Sequence, residues 1–217
     1  MNRVETGKEI DVASLAALAS GRTDPAVAML VETALDMRGR AEPAAEAISG
    51  AFLEVEAPVE TSPEALARVM AVIDADTPVV PRGGSRPADR SEIRVPARLM
   101  QAIDAAERAR GWRAVGPGIR VLSLDIPGPA RSEIIRIDAG GAVPRHTHVG
   151  GELTLCLAGG FSDEGGAYGP GDVVYADAKV THRPVADADG PCYVMAVTDA
   201  GLRLTGLLGV LQRLVGG

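Results

Sequence analysis

Apolar positions follow two different periods along this chain, and the change falls near Trp112. Before it they recur every three to four residues, as on a helix with one buried face. Asp11 precedes Val12, Leu15 and Leu18, and Asp24-Pro25 precedes Val27, Leu30, Val31, Ala34 and Leu35. A third apolar stretch runs from Ala44 to Leu53 and ends near Pro58, and Ser62-Pro63 precedes Leu66, Val69, Met70 and Ile73. A capping side chain followed by proline at the first helical position is a strong start signal. The pattern predicts about four helices, a small bundle over residues 1–75. Residues 76–95, including "TPVVPRGGSRPADR", lack any period and have the composition of an exposed linker. A short helix from Pro96 to Arg108 follows, with Leu99, Ile103 and Ala106 on one face.

Beyond Trp112 short β-prone runs take over: "IRVLSLDI", "SEIIRID", "ELTLCLAG", "DVVYADA" and "CYVMAVT". Gly, Pro and Asp turns separate them every eight to twelve residues or so, the signature of a β-sandwich or small barrel. The tail, "LRLTGLLGVLQRLV", returns to helical spacing. The expected class is α+β, with a helical domain over 1–75, a linker over 76–95 and a β-barrel domain with a C-terminal helix over 96–217.

Composition sharpens this in three ways. Aromatic residues make up only 3% of the 217 residues, so Ala, Val, Leu and Ile must fill the core. The net charge of −7 argues against a nucleic-acid-binding surface. Residues 1–75 hold 13 of the 29 acidic but only 6 of the 22 basic side chains, which leaves 16 of each sign in the remainder. All the excess acid therefore lies in the helical third, which suits a basic protein partner. Two cysteines, Cys156 and Cys192, are too few for a disulfide framework. The opening residues lack the apolar core of a signal peptide and no stretch reaches membrane length, so the expected compartment is the cytoplasm, with no membrane partner.

The candidate chemistry lies in "GGAVPRHTHVGGELTLCLAGG", residues 140–160, which holds two of the chain's three histidines. On a strand His146 and His148 project to one side, about 7 Å apart along the chain. Glu152 adds a carboxylate after a bend at Gly150-Gly151, and His182 ends another β-prone run. Three imidazoles and one carboxylate suit a divalent ion such as zinc, iron, manganese or nickel. Cys156 shares strand parity with Glu152, but a small buried core residue is the commoner role for both cysteines. Glu133 and Arg136 either line a pocket or form salt bridges on the outer sheet face. Trp112 is expected to anchor the start of the barrel.

The segment resembles the cupin family. Gly140, His146, His148, Glu152 and Gly159 fit the first cupin motif at every position, and Gly171-Asp172 with His182 keep the spacing of the second. The usual proline and glycine of that second motif are Asp177 and Lys179 here, and its terminal asparagine is Ala186. The resemblance implies a cupin (double-stranded β-helix, jelly-roll) barrel whose metal is held by His146, His148, Glu152 and His182. Together with the acidic helices and the linker, the whole chain resembles the ChrR-type anti-sigma factors. Phrases such as "LEVEAP", "GPGDVVYADAKVTHRPV" and "AVTDAGLRL" carry that likeness. It implies an N-terminal domain that grips an alternative, extracytoplasmic-function sigma factor and a zinc-binding cupin that modulates the response to oxidative stress. A homodimer through the cupin domain is compatible with it. The family's helical domain usually binds its own zinc through an upstream histidine and a His-x3-Cys-x2-Cys run. Here Glu32, Asp36 and Gly39 stand at those places, which excludes that zinc on ligand grounds. The alternative expectation is a metal-dependent cupin enzyme, such as a small-molecule dioxygenase.

Overall fold

The computed structural model describes residues 23–39, 62–75, 93–199 and 202–204, together with positions 21 and 50. The expected helices after Asp11 and between Ala44 and Leu53, most of the linker and most of the tail lie outside these residues. The described helices include α1 (Pro25–Arg38) and α2 (Pro63–Ala75), which start at the Asp24-Pro25 and Ser62-Pro63 signals, and α3 (Ala97–Ala109), which follows the apolar spacing of Leu99, Ile103 and Ala106. Asp24 caps α1 by accepting the Ala26 amide, and Gly39 ends it in the left-handed conformation. Ser62 accepts the Ala65 amide at the start of α2.

The β-rich part is a cupin-like fold of twelve described strands in three sheets. The large antiparallel sheet runs, in spatial order, β1 (Arg113–Gly116), β2 (Ile119–Ser123), β3 (Arg131–Ile137), β11 (Cys192–Thr198), β5 (Glu152–Ala158) and β8 (Val173–Ala176). A second sheet orders β10 (Val185–Ala186), β6 (Phe161–Asp163) and β7 (Gly166–Tyr168). The third orders β12 (Leu202–Leu204), β4 (His146–His148) and β9 (Thr181–His182). The five expected runs each supply one strand of the large sheet. Leu202–Leu204, where helical spacing begins in the sequence, are instead a strand, because their backbone pairs with His146–His148.

Alternation along the central strands gives the large sheet two buried faces. Leu155 and Met195 join Leu122 and Ile134 in a core with Leu30, Ala34, Leu99 and Ile103 of the helices. Their neighbours Cys156 and Val194 point the other way, into a barrel core with Phe161, Tyr168, Val174 and Ala186. Burial on both faces explains why β5 and β11 read as continuous apolar runs.

Helix α1 thus packs on the outside of the sheet whose inside faces the histidines. Polar contacts fix it at both ends. The second carboxylate oxygen of Asp24 accepts the Ala130 amide at 3.2 Å, and Arg38 Nε donates to the Gly171 carbonyl at 3.0 Å. Between them Glu32 pairs with Arg98 of α3 at 2.7 Å.

Candidate metal centre

The centre begins as a strand pairing. His146 and His182 are direct partners across β4 and β9, and His148 lies two residues further along β4 on the same side. The three imidazoles converge, and their exposures are only 3%, 2% and 6% for His146, His148 and His182. The Nε2 atoms of His146 and His148 each lie 3.1 Å from Nε2 of His182. One nitrogen from each ring falls within 4.8 Å of the others, the arrangement of a group that can hold a metal ion.

Hydrogen bonds at the far side of two rings decide which nitrogens are free. Nδ1 of His146 lies 2.8 Å from the Pro144 carbonyl, which can only accept, so this nitrogen carries the proton. Nδ1 of His182 lies 2.7 Å from a carboxylate oxygen of Asp163 and donates likewise. In the neutral rings both Nε2 atoms then present lone pairs to each other at 3.1 Å. Two facing acceptors repel, and a shared cation satisfies them, so these residues fit a metal. Burial lowers the His146 pKa, with His182 adding to the effect and the Pro144 and acidic contacts opposing it. Burial, followed by His146 and His182, lowers that of His148 to about 4. Both shifts keep the rings neutral, the state a metal requires.

Glu152 starts β5 beside this group. Its nearer oxygen is 3.7 Å from Nδ1 of His148, and Thr154 donates a hydrogen bond to its carboxylate at 3.1 Å. Burial raises its pKa, against the opposing pull of Thr154 and His182, while Glu133 adds to the rise. His146, Glu152 and His182 open onto a cavity of about 70 Å³ walled by Ile135, Val143, Phe161 and Val194.

The motif glycines and departures have local reasons. A Cβ at Gly159 would come within 2.5 Å of the Pro191 carbonyl oxygen, so the residue must be glycine. Asp177, where a proline is usual, closes its turn by accepting the Lys179 amide at 2.8 Å. The cysteines are fully buried in the barrel core. Contact with Cys156, and then burial, pushes the Cys192 thiol far above its ordinary range, which makes it a poor nucleophile. Arg136 forms an ion pair with Asp138 and a 3.1 Å hydrogen bond to the Tyr193 hydroxyl, whereas Glu133 accepts from Ser123. Trp112 packs against the helix-side core and donates to Glu107. Nothing in the spacing of Asp163 connects it with a histidine nineteen residues away, so the sequence carries no signal for this contact.

Residues 100–200 match the ChrR Cupin-like domain family. The anti-sigma-E factor ChrR of Cereibacter sphaeroides is 40% identical over 122 residues, or 56% of this chain, and the match spans 57% of that relative's length. The crystal structure of Rhodobacter sphaeroides SigE in complex with the anti-sigma ChrR aligns with a TM-score of 0.66 and 33% identity. That alignment covers 88% of this chain and 98% of the matched one. The chain belongs to the family of ChrR-type anti-sigma factors, within the cupin superfamily.

Proposed function

We propose that this protein is an anti-sigma factor that sequesters an alternative, extracytoplasmic-function sigma factor through its N-terminal helices. In this reading residues 1–75 form a helical bundle that binds the sigma factor, 76–95 link it to the cupin, and 96–217 form the metal-binding domain. The compartment is the cytoplasm, where sigma factors act. Among the described residues no helix is long and apolar enough to cross a membrane.

One observation carries the reading. Leu66 and Met70, one turn apart on α2, are 62% and 49% exposed. Large apolar side chains left in solvent at helical spacing are the usual mark of a face that meets a partner. The excess acid of residues 1–75 favours a partner of opposite charge. The alignment with nearly the whole of a ChrR crystallised with SigE supports the choice of a sigma factor over an enzyme's substrate.

His146, His148, Glu152 and His182 are the proposed ligands of one divalent ion, with zinc the first candidate because three nitrogens and one oxygen suit its tetrahedral preference. Such an ion would tie the short sheet that carries the three histidines to the large sheet that carries Glu152. The large sheet then supplies a route to the helices, since β5 carries Glu152 and its outer face takes part in the core under α1. Glu32 forms an ion pair with Arg98, and Gly39 caps α1, in the places where the family's helical zinc ligands usually stand. Packing on the cupin sheet therefore replaces that zinc as the support of α1.

The test is co-expression of the tagged full chain with each alternative sigma factor of the source organism. A one-to-one complex with one of them, lost in a Leu66→Asp/Met70→Asp double variant that keeps its metal, is expected. Failure to capture any sigma factor overturns the reading.

A further inference from the structure

The tip of the β6–β7 hairpin touches the metal-bearing strands at three points. Asp163 pairs with Gly166 across a tight turn, and its first oxygen accepts the Gly165 amide at 2.7 Å. Its second oxygen lies 2.7 Å from Nδ1 of His182, and the side chain is only 4% exposed. The next residue, Glu164, accepts the Arg183 amide at 2.9 Å with one oxygen and forms an ion pair with Arg145 through the other. Arg145 immediately precedes His146, and Arg183 immediately follows His182.

We propose that Asp163 and Glu164 are the positioning residues of the metal centre, Asp163 aiming the His182 ring and Glu164 holding the two ligand-bearing chains in register. The proposal rests on the metal reading above and adds the residues that set the affinity. The carboxylate at Nδ1 fixes both the rotation of the His182 ring and its tautomer, and leaves Nε2 as the electron-rich donor. An exposed ion pair such as Glu164–Arg145 contributes little by itself. Its geometric effect comes from the Arg183 amide, which stops β9 from sliding against β4. Both carboxylates belong to the β6–β7 hairpin, whose sheet supplies no histidine, so the centre is braced from outside the strands that form it.

The experiment measures zinc affinity of the full chain by competition with a chromophoric chelator, alongside nitrogen NMR of the histidine rings in the metal-free protein. Asp163→Ala should weaken zinc about 10–100-fold, the effect typical of losing such a partner. It should also convert His182 from a single Nδ1-protonated tautomer to a mixture. Asp163→Asn retains an acceptor without the charge and should fall between, which keeps the test open if the alanine variant folds poorly. Glu164→Gln should weaken zinc by a smaller factor and leave the His182 tautomer unchanged. A merely structural role would lower the metal-free melting temperature while leaving the tautomer and the zinc affinity within about twofold of wild type, and that result overturns the proposal. Failure of the wild type itself to bind zinc overturns the metal reading and this one together, so the two failures are distinguishable.

Discussion

Asp24 accepts the Ala130 amide with the carboxylate oxygen that its own helix does not use, so the residue that starts α1 also fastens that helix to the cupin. Gly128 makes the approach possible. It sits at a φ of +143°, and a Cβ there would come within 2.8 Å of the Asp24 carboxylate. Asp24→Ala is expected to cost about 1–2 kcal/mol from the cap alone. The loss should appear in denaturant unfolding and as faster amide exchange across residues 25–38. Unchanged exchange in that helix would mean that Asp24 does not hold it to the barrel.

A similar test probes the shared core. Leu30 is fully buried between α1 and the large sheet, so Leu30→Ala should cost about 2–5 kcal/mol. If α1 depends on the cupin, this variant should lower the single unfolding midpoint of the chain rather than melt the helix separately.

Much of this architecture is legible in the sequence because its signals are local. Asp24-Pro25 and Ser62-Pro63 start helices where cap chemistry says they should, and the five apolar runs become five strands of one sheet. His146 and His148 are readable as a pair because a strand's period of two puts them on one side, and the cupin spacing brings in His182. A strand that escapes notice, such as β10, is two residues long and exists only through its partner. Asp163 escapes for the same reason, since its role depends on a contact between sheets that no period encodes. The strand at Leu202–Leu204 has a pattern that fits a helix equally well, and only pairing with β4 decides it.

Removing a proposed ligand should remove the metal. His148→Ala or His182→Ala is expected to leave the chain with no stoichiometric zinc by elemental analysis. Zinc at about 100 times its dissociation constant should stabilise the wild type by about 2.7 kcal/mol and these variants not at all. Equal stabilisation of wild type and variants would place the ion elsewhere.

Acid should act through the same rings. Burial holds the folded-state pKa of His148 at about 4, below the ordinary imidazole value of 6.5. Unfolding therefore takes up a proton between these values, and the stability linked to this group is full above 6.5 and is lost as pH falls through 4. Protonation also removes the lone pairs the metal needs. Zinc should stay bound in mildly acidic buffer and leave as the pH approaches 4, followed by equilibrium dialysis. Release already complete near pH 6.5 would show that burial does not depress these histidines.

The buried cysteines should be inert. Cys156 and Cys192 lie wholly inside the barrel, and the Cys192 thiol is shifted far towards the protonated form. A thiol-specific alkylating reagent should modify neither in the native chain and both after denaturation. Rapid native labelling would make the pair a reactive site rather than core.

The most direct measurement is a calorimetric titration of the purified full chain with the sigma factor it captures, using wild type, the Leu66→Asp/Met70→Asp variant and His148→Ala. The account predicts one-to-one binding by wild type and loss of binding in the α2 variant with its zinc retained. It predicts an altered sigma affinity in His148→Ala, because the proposed ion would reach, through Glu152, the large sheet whose other face packs on α1. Tight binding by the α2 variant, or the same sigma affinity with and without the histidine, would contradict it.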